Sequence, residues 1–364
     1  MSDEPLLLTP GPLTTSSETK EAMLRDWGSR DAQFIELTAR VCQKLETIGG
    51  VDPDGRSHIC VPIQGSGTFA IEATIDTLVP RDGKVLVLIN GAYGRRIANI
   101  CEVNGRSLVT LETAEDTPPS PDEVAAYLKD DPEITHVAAV HCETTSGILN
   151  PIAEIAVVVA KAGRRLIIDA MSTFGALPLS ISEVECVAIV ASANKCLEGV
   201  PGVGFAIIKQ SELAVSAGNA TSLSLDLHGQ WQNLEKTGQW RFTPPTQVLA
   251  ALDQALIEHE AEGGVAGRGQ RYQENCQVLV DGMRALGFKI YLSDNLQAPI
   301  IVTFHMPEDE NFKFDNFYTK LHERGFAIYP GKLTKVDSFR IGCIGHITKS
   351  DIEKAVEAVG AIIQ

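Results

Sequence analysis

Ser192-Ala193-Asn194-Lys195-Cys196-Leu197-Glu198-Gly199-Val200-Pro201-Gly202 follows directly on the apolar run Val187–Val190. A short apolar run with such boundaries reads as a strand buried on both faces. Lys195 is then delivered at the end of a strand, the edge where open α/β sheets bind ligands. No acid stands beside it in the chain until Glu198. Burial would therefore hold its amine below the usual lysine pKa and leave it able to attack an aldehyde. Taken alone, Lys195 reads as a solvated lysine in a loop; the rest of the chain changes that.

Working outward, Val85–Ile89, Val137–Val140, Leu166–Ile168 and Phe205–Ile208 repeat the pattern of a buried strand. Between them lie helix candidates. Thr68 to Leu78 carries apolar residues at helical spacing, and Ser120 with Pro121 and Glu123 has the form of a capping box. Alternation of strand and helix predicts an α/β chain with a mostly parallel sheet covered by helices. After about residue 250 the texture changes. Ala250 to Ala261 and Gly267 to Leu286 read as long helices, followed by strand candidates Ile290–Leu292 and Ile300–Phe304. A helix near Phe314–Glu323, strands at Ala327–Tyr329 and Phe339–Ile341, and a last helix from Ser350 capped by Glu353 complete a smaller α+β part. The expected division is an N-terminal segment 1–15, a large domain 16–248 and a small domain 249–364.

Two further segments resemble the first in placing polar groups at strand ends. Ile167-Ile168-Asp169-Ala170-Met171-Ser172 delivers a carboxylate, which by itself is as readily a helix N-cap. Gln64-Gly65-Ser66-Gly67-Thr68 opens a helix with free amides and two hydroxyls, a phosphate cradle or else a plain turn. It is neither a Walker A sequence nor GxGxxG, so a nucleotide-hydrolysing or nicotinamide enzyme is poorly supported. Cradle, acid and lysine together supply the anchors that pyridoxal 5'-phosphate (PLP) needs: phosphate, pyridine nitrogen and aldehyde.

Composition bounds the partners. The chain has 364 residues, 44% hydrophobic and 21% charged, with no apolar run long enough for a membrane span. Met1 to Pro10 lacks the basic start and apolar stretch of a secretory signal, so the expected location is cytoplasmic. Eight cysteines are scattered without ligand spacing, predicting reduced, mostly buried thiols and no metal site. A net charge of −16 argues against nucleic acid. An anionic small substrate is allowed only where cations gather locally.

The motifs resemble those of the fold-type I PLP-dependent transferases, in the class V aminotransferase group. They are Leu7 to Thr15, Gln64 to Thr68, Asn90-Gly91-Ala92-Tyr93-Gly94, His141 to Gly147, Asp169 to Ser172 and Ser192 to Gly202. Trp240-Arg241-Phe242-Thr243-Pro244-Pro245-Thr246, Tyr329-Pro330-Gly331-Lys332 and Phe339-Arg340-Ile341-Gly342 complete the set. The Trp240 and Tyr329 stretches point to members that carry the amino group of 2-aminoethylphosphonate to pyruvate in phosphonate catabolism. The resemblance implies that Ser66, Gly67 and Thr68 hold the PLP phosphate and that Tyr93 stacks on the ring. Asp169 would face its nitrogen, and Lys195 would form the Schiff base and carry the proton. It places Thr145 by the cofactor's oxygen side, and Arg340 on the substrate's anionic group with Thr14 and Thr15. Thr243 would reach the neighbouring subunit's cofactor, implying a homodimer with a shared site to which segment 1–15 contributes.

Rival readings are another class V activity, such as alanine–glyoxylate or serine–pyruvate transamination, a cysteine desulfurase-type lyase, or a cofactor-free binding protein. Cys343, between Ile341 and Ile344, reads as buried, which disfavours the lyase. Arg30, in Arg25-Asp26-Trp27-Gly28-Ser29-Arg30-Asp31, has two readings, a contact to the substrate's phosphonate or, the favoured one, a surface ion pair with Asp26 or Asp31.

Overall fold

A computed structural model of the chain describes residues 4–54, 57–309 and 311–363. Residues 1–3 of the N-terminal segment and the last residue of the expected small domain lie outside these.

The main sheet has seven strands: β1 (His58–Gly65), β2 (Lys84–Ile89), β3 (Ser107–Glu112), β4 (Ile134–Val140), β5 (Arg165–Asp169), β6 (Ala188–Ser192) and β7 (Gly202–Lys209). Their order is β1-β7-β6-β5-β4-β2-β3. Only β7 runs against its neighbours; the other pairings are parallel. All five expected strands are present. The two unexpected ones are the sheet's edges. β3 is largely exposed and has no continuous apolar run, and β1 carries Pro62, which an edge strand tolerates because it can forgo one donor.

Ten helices of eight residues or more accompany the sheets among the described residues: α1 (Ala32–Ile48), α2 (Gly67–Leu78), α3 (Ala92–Val103), α4 (Pro121–Asp130), α5 (Ile152–Lys161), α6 (Leu227–Thr237), α7 (Thr246–Ala261), α8 (Gly264–Ala285), α9 (Phe314–His322) and α10 (Lys349–Ile363). The strand period of two divides the sheet's side chains between two cores. Leu86 and Leu88 of β2 pack with Phe34, Val41 and Leu249, whereas Val85, Val87 and Ile89 pack with Ile71, Ile75 and Ile97.

A second, antiparallel sheet is formed by β8 (Ile301–His305), β9 (Tyr329–Pro330) and β10 (Ser338–Gly342), in the order β8-β10-β9. Its core joins Val302, Phe304, Phe339 and Ile341 to Leu279, Met283 and Ile352 of α8 and α10. Near the N-terminus, Leu6–Leu7 pairs in parallel with Phe326–Ala327. The following residues lead from this small-sheet unit towards the main sheet.

Several local expectations need correction. Ile290–Leu292 forms only an isolated bridge, Ile290 to Phe304. The single strand expected at Ala327–Tyr329 divides, because Phe326–Ala327 takes Leu6–Leu7 as partner and β9 takes β10. Ser120 does occupy the N-cap of α4 with proline in the first turn, but its side chain makes no capping bond. The last helix starts at Lys349, and its cap lies two residues earlier than Ser350 and Glu353. The amide and hydroxyl of Thr348 both donate to Asp351 Oδ2, at 2.9 and 2.7 Å.

Candidate active site

Beyond β6 the chain turns sharply and leaves Lys195 half-buried at the sheet edge. Its Nζ donates to the carbonyl of Pro10 at 2.6 Å and to that of Gly11 at 3.3 Å. Carbonyl oxygens are its only hydrogen-bond partners among the described residues. Burial holds the amine below the usual lysine range, against the opposing pull of Tyr93, Cys196 and Asp169, while Lys332 lowers it further. Residue 11 must be glycine. Its φ is +108°, and a Cβ there would stand 2.6 Å from Lys195 Cδ and 2.7 Å from the Asn194 carbonyl oxygen.

Asp169 ends β5 and is buried. Its Oδ1 accepts the Met171 amide at 3.0 Å, the carboxylate's one hydrogen bond among the described residues. Burial pushes its pKa up to about 6; Glu143 adds to the rise, while the Met171 amide, Arg96 and Lys195 oppose it. Beside it, His141 donates its amide to the Asp169 carbonyl at 2.8 Å. Its imidazole, paired with Thr173 Oγ1 at 3.0 Å, is held down to about 4 by burial and so is neutral.

The start of α2 provides the third corner. Ser66 is the N-cap in extended conformation, yet its side chain caps nothing. The amides of Gly67 and Thr68 make no backbone hydrogen bond among the described residues. An open helix start with free amides and hydroxyls receives anions. Arg96 Nη1 adds a cation, donating to Thr68 Oγ1 at 3.1 Å. These donors fit a phosphate group.

Tyr93 lies in the first turn of α3, which begins after Gly91 and so has no capping side chain of its own. A distant residue supplies the acceptor. The buried Glu143 carboxylate takes the amides of Tyr93, Gly94 and Thr145 at 3.0 to 3.1 Å and the Thr145 hydroxyl at 2.6 Å. Burial raises its pKa against those bonds. Glu143 has no role in the motif His141 to Gly147 as read from sequence alone; its signal is a helix start at Ala92 that lacks any capping side chain of its own. Thr145 Oγ1 also accepts the Ala92 amide at 2.8 Å, so this fully buried hydroxyl helps hold the turn that carries Tyr93.

Cations gather around Tyr93 despite the chain's net −16. Lys332 Nζ lies 4.2 Å and the Arg96 guanidinium 4.8 Å from the ring centroid. Burial would raise the phenol's pKa, but Lys332, Lys195 and Arg96, with a hydrogen bond from Thr144, bring it below the usual value. Arg340, in β10, is 5% exposed and has no acid within ion-pair distance among the described residues. Its Nε donates to the Pro330 carbonyl at 3.1 Å and Nη1 to that of Thr144 at 2.8 Å, while Nη2 donates to nothing described. The guanidinium is thus fixed, and one nitrogen is left for a ligand.

The remaining expected residues are less convergent. Thr14 Oγ1 accepts the Leu7 amide at 2.8 Å and is used within its own segment. Thr15 is half-buried without a described side-chain bond, and Thr243 is exposed. Arg30 is exposed and forms no ion pair among the described residues, so the pair expected with Asp26 or Asp31 is absent. Its neighbours are engaged elsewhere: Arg25 stacks on Trp27 at 4.0 Å, and Asp26 accepts from Gln247.

Behind the lysine turn, Glu198 is buried at φ 60° and sits in a charged cluster. Arg271 Nη2 donates to it at 2.7 Å and the Tyr272 hydroxyl at 2.5 Å, with Arg268 Nη1 at 3.5 Å. Arg268 also donates to the Cys196 carbonyl at 2.6 Å and Arg271 to the Gly345 carbonyl at 2.6 Å. The turn carrying Lys195 is thereby tied to α8 and to the loop after β10. Cys343 is fully buried, and among the described residues no Cys, His, Asp and Glu group is arranged to hold a metal. A groove of about 940 Å³ lies beyond this site, between Phe288, His305, Phe312 and Ile363.

Residues 56–349 match the profile of the family described as Aminotransferase class-V. The chain is 57% identical over 362 residues to the 2-aminoethylphosphonate–pyruvate transaminase of Pseudomonas fluorescens, covering 99% of this chain and 97% of that one. It is 55% identical to the enzyme of the same name from Pseudomonas aeruginosa, over 99% and 96% of the two chains. Among solved structures it is similar to pyridoxamine–pyruvate aminotransferase from Mesorhizobium loti, with a TM-score of 0.89 at 25% identity over 100% and 92% of the chains. Alanine–glyoxylate aminotransferase from Nostoc has the same fold, with a TM-score of 0.91 at 21% identity over 99% and 96%.

Proposed function

The chain belongs to the class V aminotransferase family, and from that premise we propose that it transfers the amino group of 2-aminoethylphosphonate to pyruvate. The products are phosphonoacetaldehyde and L-alanine, and the reaction is a step of phosphonate catabolism. The observation that carries this reading is the convergence of an enclosed lysine amine, a buried carboxylate and an uncapped helix start at one sheet edge. The donor is supported by relatives of that activity at 55–57% identity over nearly the whole chain.

The residues fit pyridoxal 5'-phosphate. Ser66, Gly67 and Thr68 would hold its phosphate, Tyr93 its ring, Asp169 its nitrogen and Lys195 its aldehyde carbon, with Thr145 nearby. When bound, PLP supplies an electrophilic carbon for the amine and a ring that withdraws electrons from the carbon beside it. Lys195 Nζ, kept below its usual pKa by burial, takes the proton from the amine-bearing substrate carbon and later returns one. Asp169 holds a proton at the ring nitrogen. Arg340 orients the substrate's anionic group through the nitrogen its carbonyl partners leave free. The two half-reactions alternate in one site, which gives ping-pong kinetics.

The chemistry also uses a division of the chain into segment 1–15, a large unit 16–248 and a small unit 249–364. α7 bridges the last two, since Leu249, Leu252 and Leu256 still pack in the main-sheet core. A homodimer completes the site, with Thr243 reaching the partner's cofactor. Support for this comes from the exposure of Thr243 beside Phe242, which is 43% exposed, and from Phe69 of α2, which is 50% exposed. All eight cysteines are free and seven are buried, as suits a reducing compartment, so we place the reaction in the cytoplasm.

The test is an absorbance titration of purified protein. 2-Aminoethylphosphonate should shift the visible cofactor band, and pyruvate should restore it. If alanine with glyoxylate completes this cycle much faster than aminoethylphosphonate with pyruvate, the donor assignment fails. A protein with no such band would remove the transaminase reading altogether.

A further inference from the structure

The cations around Tyr93 are not equivalent. Arg96 is engaged with Thr68 at the helix start, and Lys195 with the carbonyls of Pro10 and Gly11. The two acids that face them are Asp169 and Glu143, and Glu143 is already surrounded by four donors. Arg340 retains one free nitrogen, and Lys332 has no ion pair or hydrogen bond among the described residues.

Lys332 lies in the loop Gly331–Asp337 that joins β9 to β10, and so belongs to the same hairpin as Arg340. Two contacts fix the loop. At its base, the Gly331 amide donates to the Ser338 carbonyl at 2.8 Å. At its tip, Thr334 reaches the main-sheet unit, where its amide donates to both oxygens of Glu115 at 3.1 and 3.2 Å and its hydroxyl to one at 3.3 Å. Glu115 thus fastens the loop across the site, with Lys332 4.2 Å from the Tyr93 ring centroid.

We propose that Lys332 is the second cation for the substrate's anionic end and determines the preference for a phosphonate over a carboxylate. The inference rests on the donor reading above. A carboxylate has two oxygens and one charge, which a single guanidinium can satisfy. A phosphonate has a third oxygen and a second ionisable proton. Its dianion gains from a point charge placed beside the guanidinium, and an ammonium group supplies one.

Two substitutions test this, Lys332→Met and Lys332→Arg, with kcat/KM measured for 2-aminoethylphosphonate and for L-alanine. Calorimetry on the PLP-loaded enzyme adds a readout without turnover, using ethylphosphonate and propionate as unreactive probes. Lys332→Met should lower the phosphonate-to-carboxylate ratio about 10- to 100-fold in both measurements, as expected for one charged hydrogen bond. Lys332→Arg should keep the ratio within about threefold of wild type. An unchanged ratio in Lys332→Met, or equal loss of both probes, overturns the inference. Failure of the wild type to use 2-aminoethylphosphonate would instead remove the donor reading, and the ethylphosphonate titration would still decide the role of Lys332.

Discussion

Asp169 shows what burial does to one residue. Its pKa is pushed up to about 6 from an ordinary value of 3.8. The folded protein therefore binds that proton more tightly than the unfolded chain. The associated stability is complete below pH 3.8 and is lost as pH rises through about 6. In protein freed of cofactor, Asp169→Asn should thus be more stable than wild type at pH 8, by on the order of 3 kcal/mol. The two should converge below about pH 4, where both side chains are neutral. Urea unfolding across this range checks the sign, and parallel curves would refute the account. Gly11 makes a second case. Gly11→Ala puts a methyl group against Lys195 Cδ and a non-glycine residue at φ +108°. A loss of roughly 1–3 kcal/mol is expected, with cofactor binding impaired as Lys195 is displaced. Full retention of the visible band and of the urea midpoint would contradict it.

At the scale of elements, the start of α3 depends on a side chain far away in sequence. Glu143 accepts three amides and a hydroxyl and has no substitute among the α3 residues. Glu143→Ala should destabilise the protein by about 2–4 kcal/mol, because buried donors lose their acceptor. Glu143→Gln should rescue little, since its amide would turn N–H groups towards N–H donors. Unfolding midpoints compare the two variants, and a silent Glu143→Ala would show that water replaces the carboxylate. The same logic explains the misplaced caps. Ser120 and Ser350 have the right residue types at the right spacing, but capping requires a particular side-chain rotamer as well as a sequence. At the last helix, Thr348 and Asp351 form the pair instead.

Across the whole molecule, the site is assembled from distant parts of the chain. Pro10 and Gly11 cover Lys195, Thr144 and Pro330 hold Arg340, and the Glu198 cluster ties the lysine turn to α8. A dimer would add Thr243 to this set. Sedimentation should give twice the chain mass of 39.2 kDa. Thr243→Ala should keep that mass and release PLP about tenfold more readily, as loss of one phosphate hydrogen bond implies. A monomer that retains full activity would remove the proposal.

The strands of the sheet interior were legible from sequence because burial on both faces demands unbroken apolar runs, as in β2, β4, β5, β6 and β7. The edges β1 and β3 were hidden, since an edge strand need not be apolar and can even hold Pro62. Lys195, Asp169 and Ser66 to Thr68 were also legible, because each sits at the junction of an apolar run and a polar turn. Local sequence determined that these groups stand at strand or helix ends. Only the tertiary structure decided which carbonyls receive the amine of Lys195, which carboxylate opens α3 and which cations face Tyr93. Those pairings join residues up to 239 positions apart, as Tyr93 and Lys332 do. No local pattern encodes them, because burial and hydrogen bonding across such distances exist only once the whole chain has packed.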